Sequence, residues 1–350
     1  MSMYEVETET IQITEGNQNV DCIVLLVDDE LFGKKSYDVN LLGEKMCNWV
    51  ARACPTKPTI APIKDEDDLL GNIRPLLKDA QYTMVLYSDT PLITANAVNQ
   101  ILDYVSLKNL SVCKLARAWV FKTEYIKQAQ TVYALNQYDV CSNEQYQVSS
   151  VESFEKAAII LQARVNKYHM QNGVNIVSPQ NTHIDCQVAI EAGAIIEPFV
   201  KLEGTTSVGA NSKICSNCVI TDSKIDEQVI IKSGTVIVRS AVLDNAIVGN
   251  NCLISNRSVV GEETIVSAAT VLENSTTNKG CKVGLNCCLT NTKVADGVNI
   301  GSGTKCLGTE ALDVKLGANS TVGEACTIFG GVYLKSDYTL PQSTTLAKKD

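Results

Sequence analysis

The side chains able to do chemistry in this 350-residue chain fall in a few short stretches. Asp28, Asp29 and Glu30 follow one apolar run, and Asp89 follows another. Carboxylates are the hard oxygen ligands that Mg2+ or Ca2+ takes. Asp89, Asp28 and Asp29 are therefore candidate metal ligands, with a solvated acidic turn as the alternative. Far along the chain, Asn286 precedes Cys287. A thiol carries an acyl group only when a neighbour activates it. Asn286 and Cys287 are the candidate catalytic pair, weighed against Cys287 as plain wall packing. Cys215 and Cys218 have the spacing of a metal knuckle, but no second pair and no histidine lies near them, and zinc needs more ligands. The chain has two histidines, His169 and His183, both well before Asn286. His169 ends an expected helix, where a satisfied interface histidine is the simpler reading.

The element that must position the late residues is a short repeat. Counting in sixes from Ile184 meets Ile190, Ile196, Leu202, Val208, Ile214 and Ile220. The count slips by one and resumes at Ile225, Ile231 and Ile237, then again at Val242, Val248, Ile254 and Val260. Later runs are read as Ile265 and Val271, Val294 and Ile300, then Leu316, Val322, Ile328 and Leu334. A six-residue period is the mark of a parallel β-helix, in which each unit forms one flat face of a triangular coil; roughly eight turns are expected. The periodic aliphatic points inward. Four residues on, the crowded wall needs a small side chain, and Cys218, Cys252, Cys287 and Cys326 stand there. Glycines often follow the aliphatic, as in Val208-Gly209 and Val248-Gly249, where corner backbone angles are the expected reason.

Net charge is −9, which argues against nucleic acid and anionic membranes as partners. No run of about 18 apolar residues is present, so no membrane helix is expected. The acidic start lacks the apolar core of a secretory signal. The fourteen cysteines are then expected to be reduced, in a cytoplasmic protein.

Before the repeat, apolar strands alternate with helical stretches. Strands are expected over 22–27, 59–63, 82–87 and 111–121, with helices over 41–54, 67–80, 94–106 and 123–135 and a polar lead-in over 1–18. That alternation describes a small doubly wound α/β domain. Its ligand site would lie beyond the carboxyl ends of the strands, which puts the acidic turn and Asp89 at one crevice if their strands are neighbours. Residues 150–170 read as a strong linker helix, capped by Ser149 or Ser150, with Phe154, Ala158, Leu161 and Val165 on one face. The domains are expected at 1–148, 149–171 and 172–350.

Several stretches together resemble a family. Leu161 to Met170, Gly173-Val174, and Pro179 through Asp185 are similar to the domain junction of the bacterial bifunctional N-acetylglucosamine-1-phosphate uridylyltransferase / glucosamine-1-phosphate acetyltransferases. Ile196-Glu197-Pro198 fits the first coils of that family, Tyr87 to Leu92 its metal-binding strand exit, and Val298 to Gly303 a late coil of its acetyltransferase domain. The resemblance implies a nucleotidyltransferase-like α/β domain, then a left-handed β-helix of the acyltransferase kind that forms homotrimers. It implies Mg2+ at Asp89, acetyl-CoA or CoA on the β-helix, and a sugar nucleotide or acyl-CoA as ligand.

The departures are as informative. The family's Gly-rich, Arg-containing phosphate loop is here Val27-Asp28-Asp29-Glu30-Leu31-Phe32-Gly33, whose carboxylates repel a triphosphate. The asparagine that accompanies the family's magnesium aspartate would fall near Ala116 to Ala118 and is missing. The family's base histidine has no counterpart, and Asn286-Cys287-Cys288 stands roughly where its Asn-His pair would be. The expectation is a divergent transferase relative connected with UDP-N-acetylglucosamine synthesis, with weak, altered or absent catalysis. The alternative is a non-catalytic trimeric scaffold or partner-binding relative.

Overall fold

The computed structural model describes residues 19–65, 67–132 and 144–348. The expected lead-in over 1–18, and the end of the helix expected over 123–135, lie outside the described residues. The chain forms two compact units, Met1–Leu161 and Gln162–Asp350, with the division inside the 150–170 helix.

The first unit is built on strands β1 (Val20–Leu26), β2 (Thr59–Pro62), β3 (Tyr82–Tyr87), β4 (Val112–Leu115) and β5 (Ala118–Lys122). Their spatial order is β2-β1-β3-β5-β4. β1 pairs in parallel with β2 and β3, while β5 runs antiparallel to both β3 and β4. The helices are α1 (Met46–Arg52), α2 (Leu69–Ile73), α3 (Ala95–Leu107) and α4 (Thr123–Gln128). The middle strands are buried on both faces, as continuous apolar runs require. Cys22, Val24, Met84 and Leu86 pack with Val98 and Ile101 of α3. Ile23, Leu25 and Val85 pack with Ile73 of α2 and Ile126 of α4 on the other side.

The structure corrects the sequence reading in three places here. The single strand expected over 111–121 is a hairpin, because the chain reverses at Ala116 and Arg117. The helix expected over 41–54 begins only at Met46, since Asn40–Leu41 and Glu44–Lys45 form a small hairpin first. The helix expected over 67–80 is a five-residue α2 capped by Asp68, continued by a 3-10 turn at Arg74–Leu76.

Helix α5 (Val151–Gln171) has the expected Ser150 cap: the Ser153 amide donates to Ser150 Oγ at 3.2 Å. Its buried stripe is Ala157, Leu161, Val165 and His169, each four residues on, so Ala157 rather than Ala158 faces inward.

The second unit is a left-handed parallel β-helix of about ten turns, longer than the expected eight. Coils begin at Asn175–Ile176, before the first counted aliphatic, and continue to Thr345–Leu346. Face 1 is the ten-stranded sheet that starts at Asn175–Ile176, face 2 the ten-stranded sheet that starts at His183–Ile184, and face 3 the nine-stranded sheet that starts at Ala189–Ile190. Ile214, Ile231, Val248 and Val266 stack inside face 1, and Ile220, Ile237, Ile254 and Leu272 inside face 2. Burying each such side chain contributes about 1.5–3 kcal/mol relative to leaving it exposed.

The count through Ile265 and Val271 is one residue out. Val266 and Leu272 are fully buried and Ile265 is 40% exposed, because the chain does not slip after Val260. The missing places in the count are filled by Thr277, Val283, Leu289 and Cys306, all buried. The glycines after the aliphatics also need a different explanation. Gly209 and Gly249 have no left-handed backbone; a Cβ there would lie 2.7 Å from Asp226 C or 2.5 Å from Ala268 N of the next coil. The left-handed corner sits two residues later and is often asparagine, as at Asn211 (φ 58°), Asn245 (φ 58°) and Asn251 (φ 54°). Asparagine enters this region more readily than most residues because its short polar side chain bonds locally.

The register makes a direct prediction. Leu272→Ala is expected to cost about 2–5 kcal/mol, the range for deleting a buried leucine. Val271→Ala, on the outer surface of the same strand, is expected to cost less than about 1 kcal/mol. Urea unfolding at low protein concentration checks this, and equal losses would restore the count through Val271.

Candidate functional site

The carboxyl ends of β1 and β3 lie side by side, as the crevice reading required. The Val27 amide donates to Ser88 Oγ at 3.0 Å, and the Ser88 amide to Leu25 O at 2.9 Å. Just beyond them the candidate metal ligands part company. Asp28 is exposed and pairs with Lys35 Nζ at 2.8 Å across a tight hairpin, Glu30–Leu31 against Lys34–Lys35. The Asp29 carbonyl accepts from the Ser36 amide and closes the hairpin base. Phe32 at the tip sits edge-on to Phe154, with ring centroids 5.3 Å apart. The stretch where the resemblance places a phosphate loop is thus folded on itself.

Asp89 is wholly buried and holds Arg117. Arg117 Nη2 is 2.8 Å from Asp89 Oδ2, and Nε is 3.1 Å from Oδ2 and 3.3 Å from Oδ1. The guanidinium also lies 4.4 Å from the centre of the Tyr87 ring. Arg117 reaches this place because the β4–β5 turn stands at the end of β3, with Leu86 opposite Ala118. The following segment locks it: the Arg117 amide donates to Gln145 Oε1 at 2.7 Å, and the Val148 amide to Asp89 O at 2.8 Å. Burial pushes the Asp89 carboxyl above its ordinary range, while hydrogen bonds from Arg117 and Gln147 pull it back. Among the described residues, no group of three or more His, Cys, Asp or Glu side chains is placed to hold a metal ion. Asp28, Asp29 and Asp89 are not brought together as ligands, and the buried carboxylate already holds a cation of the chain's own. Arg117 was missed as a site residue, although it lies in the stretch where the companion asparagine was sought.

On the β-helix, Asn286 and Cys287 diverge. Asn286 is an exposed corner residue with φ 54°. Cys287 points inward and is 1% exposed. Its amide donates to Thr270 Oγ1 at 3.3 Å, and its Sγ lies 3.3 Å from Gly301 O of the next coil. Thr270, Cys287, Thr304 and Cys326 form one column, and each bridges coils in the same way. Cys218 and Cys252 stand earlier in the same column and make the equivalent contact, to Lys232 O and Ser267 O, both at 3.2 Å. These cysteines stand in for the serine or threonine of other coils, as weak donors rather than only as small apolar groups. Burial raises the Cys287 thiol above its ordinary value. Cys215 is only half-buried while Cys218 points inward, so the knuckle spacing does not make a pair of ligands.

Native Cys287 should therefore resist alkylation. Iodoacetamide at neutral pH is expected to modify it at least ~10-fold more slowly than partly exposed Cys288, since the thiolate is the reactive form. Peptide mass spectrometry reads both sites, and rapid labelling of Cys287 would reinstate it as a nucleophile.

His183 Nε2 lies 3.2 Å from Asp185 Oδ1 at the first coil of face 2. His169 is 1% exposed, and its Nε2 finds no hydrogen-bond partner among the described residues. The expectation of a satisfied histidine fails at that atom. Burial pulls its pKa from 6.5 down to about 4. The unfolded chain binds the proton near pH 6.5 and the folded chain only near 4, so stability present above pH 6.5 is lost as pH falls through that window. The loss is of order 3 kcal/mol, at about 1.4 kcal/mol per pH unit. Unfolding midpoints between pH 7 and 4 should fall less steeply in His169→Gln. An unchanged slope would mean that His169 is protonated in the folded chain.

No protein-family model matches the chain. Curated relatives do match, and they carry the name bifunctional protein GlmU. The one from Streptococcus equi subsp. zooepidemicus is 28% identical over 219 residues, 62% of this chain and 46% of the relative. The one from Koribacter versatilis is 33% identical over 168 residues, 47% of this chain and 36% of the relative. The one from Thermoanaerobacter pseudethanolicus is 38% identical over 156 residues, 45% of this chain and 34% of the relative. The chain spans less than half the length of each of these relatives. Among solved structures, the UDP-N-acetylglucosamine acyltransferase of Francisella novicida aligns with a TM-score of 0.26 at 15% identity, over 45% of this chain and 62% of that one. A score that low carries no argument beyond the coil geometry already described. Over the stretches that match, this chain is similar to the GlmU proteins at 28–38% identity.

Proposed function

We propose that this protein is a GlmU-like relative whose first unit no longer performs Mg2+-dependent uridylyl transfer. The observation that carries this reading is the Asp89–Arg117 pair. Phosphoryl and nucleotidyl transfer depend on positioning and on neutralising the charge of the phosphates, largely through the metal. In this chain the aspartate that the resemblance assigns to the metal is buried under a guanidinium from the chain itself. A metal would have to displace the Arg117 guanidinium before it could reach this carboxylate. In the hairpin at Asp28 to Lys35, Lys35 is already paired with Asp28 across the turn.

The protein is then a homotrimeric, cytoplasmic scaffold with reduced cysteines. The wall cysteines Cys218, Cys252, Cys287 and Cys326 are free thiols, and no described helix is long and apolar enough to cross a membrane. A second reading keeps an acyl-CoA ligand on the β-helix. A groove along late coils of face 1 favours it: Lys282, Asn299, Ser302 and Glu324 rim a floor of Gly284, Gly301 and Gly323. In that groove Lys282 supplies a positive charge for a phosphate.

The test is pyrophosphate release from UTP and N-acetylglucosamine-1-phosphate with Mg2+, beside a thermal-shift panel of UTP, UDP-N-acetylglucosamine, acetyl-CoA and CoA, with and without Mg2+. A ligand bound only by the folded state raises the melting temperature at saturation. No pyrophosphate and no shift with UTP or Mg2+ is the expected result. Turnover, or a Mg2+-dependent shift with UTP, would overturn the first reading. A shift with CoA, reduced in Lys282→Ala, would establish the second, and no shift with either CoA form would remove it.

A further inference from the structure

The β-helix wall thiols of Cys218, Cys252, Cys281, Cys287 and Cys326 lie 3.0 to 3.3 Å from a backbone carbonyl of the next coil. Two cysteines of the first unit are placed differently. Cys22 of β1 is fully buried in the layer that holds Val50 of α1 and Ala53, and Cys54 packs against that layer. The Cys54 thiol donates a hydrogen bond to the Cys22 sulfur, so the two sulfurs face each other.

The backbone brings them together for local reasons. α1 ends at Arg52, and the Ala53 and Cys54 amides donate to Val50 O and Ala51 O at 3.1 and 3.2 Å as its last turn. The chain must then reach Thr59, the first residue of β2, which pairs with Ile23. On the way Thr56 Oγ1 donates to Val20 O at 3.2 Å, which lays residues 54–58 along the first rungs of β1. Pairing with Met84 of β3 fixes Cys22 in its strand. Cys54 is half-buried, and its neighbours Pro55 and Lys57 are exposed, so it stands between the buried sulfur and the surface. Its Sγ also lies 3.7 Å from Val50 O. The bond from Cys54 holds the Cys22 thiol below its ordinary value; burial and the Asp21 carboxylate push the other way, and Thr56 adds further donors. The same bond, then burial, drives the Cys54 thiol up. Once one proton leaves, the pair keeps the other between its two sulfurs.

We propose that Cys22 and Cys54 form a reversible thiol–disulfide site, closed into an internal disulfide by a small-molecule disulfide such as glutathione disulfide. Cys54 is the entry sulfur, because Cys22 is shut away from solvent. As a thiolate it attacks one sulfur of glutathione disulfide; a Cys54–glutathione bond forms, the S–S bond of the oxidant breaks, and one glutathione leaves. The Cys22 thiolate then attacks Cys54 Sγ, the mixed bond breaks, and the second glutathione leaves. The two thiol protons end on the two glutathiones, and the two electrons given up by the pair reduce the oxidant. Excess thiol runs the same steps backwards and reopens the bond. The link ties β1 to the turn after α1 and closes the loop from residue 22 to residue 54, a restraint on the unfolded chain.

The test incubates the reduced full chain with glutathione disulfide near neutral pH and reads it by peptide mass spectrometry. At these two residues the wild type is expected to lose two hydrogens, to yield a linked Cys22–Cys54 peptide pair, and to return to the starting mass with dithiothreitol. Cys22→Ser is expected to stop at the first step and to hold at least ~10-fold more glutathione on Cys54 than the wild type does. Cys54→Ser is expected to leave buried Cys22 unmodified. Circular dichroism checks that each variant folds, and the wild-type measurement needs no variant. Glutathione resting on wild-type Cys54 without the internal link, a link from either residue to some other cysteine, or no change at either residue would overturn the site.

Discussion

The second unit depends on one constraint: every strand must lie in parallel on the strand one coil before it. The coil length is therefore held to what three short faces and three corners require. It is 18 residues from Leu202 to Ile220 and 17 from Ile220 to Ile237. The difference is absorbed at one corner, after face 2, where Asp222, Arg239, Asn274 and Asn291 turn the chain in a left-handed conformation. One coil is longer, 22 residues from Cys306 to Ile328, and its surplus is extruded as the loop at 308–313 without disturbing the ladder above or below. An inward aliphatic every fifth or sixth residue is what keeps this register, since a one-residue slip would turn the row outward.

The same stacking decides what the cysteines are. A thiol in the wall is boxed in by the coils on either side, cut off from water and set against a backbone carbonyl. That environment raises its pKa and removes its reactivity, whatever residue precedes it. Asn286 beside Cys287 is suggestive as a sequence pair, but adjacent residues at a corner face opposite ways. Chemistry there would have to come from outward residues of the neighbouring rungs, such as Lys282, Asn299 and Lys305.

In the first unit, burial and charge act together on Asp89. A buried carboxylate needs a cation. Here it comes from Arg117, stacked on the Tyr87 ring and fixed by a backbone bond to Gln145. The same turn that brings Arg117 in also seals the carboxylate from solvent. In the hairpin at Asp28 to Lys35, Asp28 pairs with Lys35 across a tight turn at the surface.

Much of this could be read from the residues. The period of six fixes the β-helix, because only an inward row repeated at that interval stacks into three flat faces. The apolar runs at Cys22 and Tyr82 announce buried parallel strands, and the junction around Leu161 to Asp185 carries the GlmU likeness. What local pattern does not contain is which residue a distant strand brings alongside. The reversal at Ala116–Arg117 reads as continuous strand because its residues suit either form; pairing of β5 with β3 makes it a turn and delivers Arg117 to Asp89. The count through Ile265 looks as good as the true one because adjacent residues are both aliphatic, and only stacking on Val248 selects Val266. Sequence determined the kinds of element and the inward row. Tertiary pairing decided the partners of Asp89 and Cys287, because a side chain's neighbours are set by contacts between segments far apart along the chain.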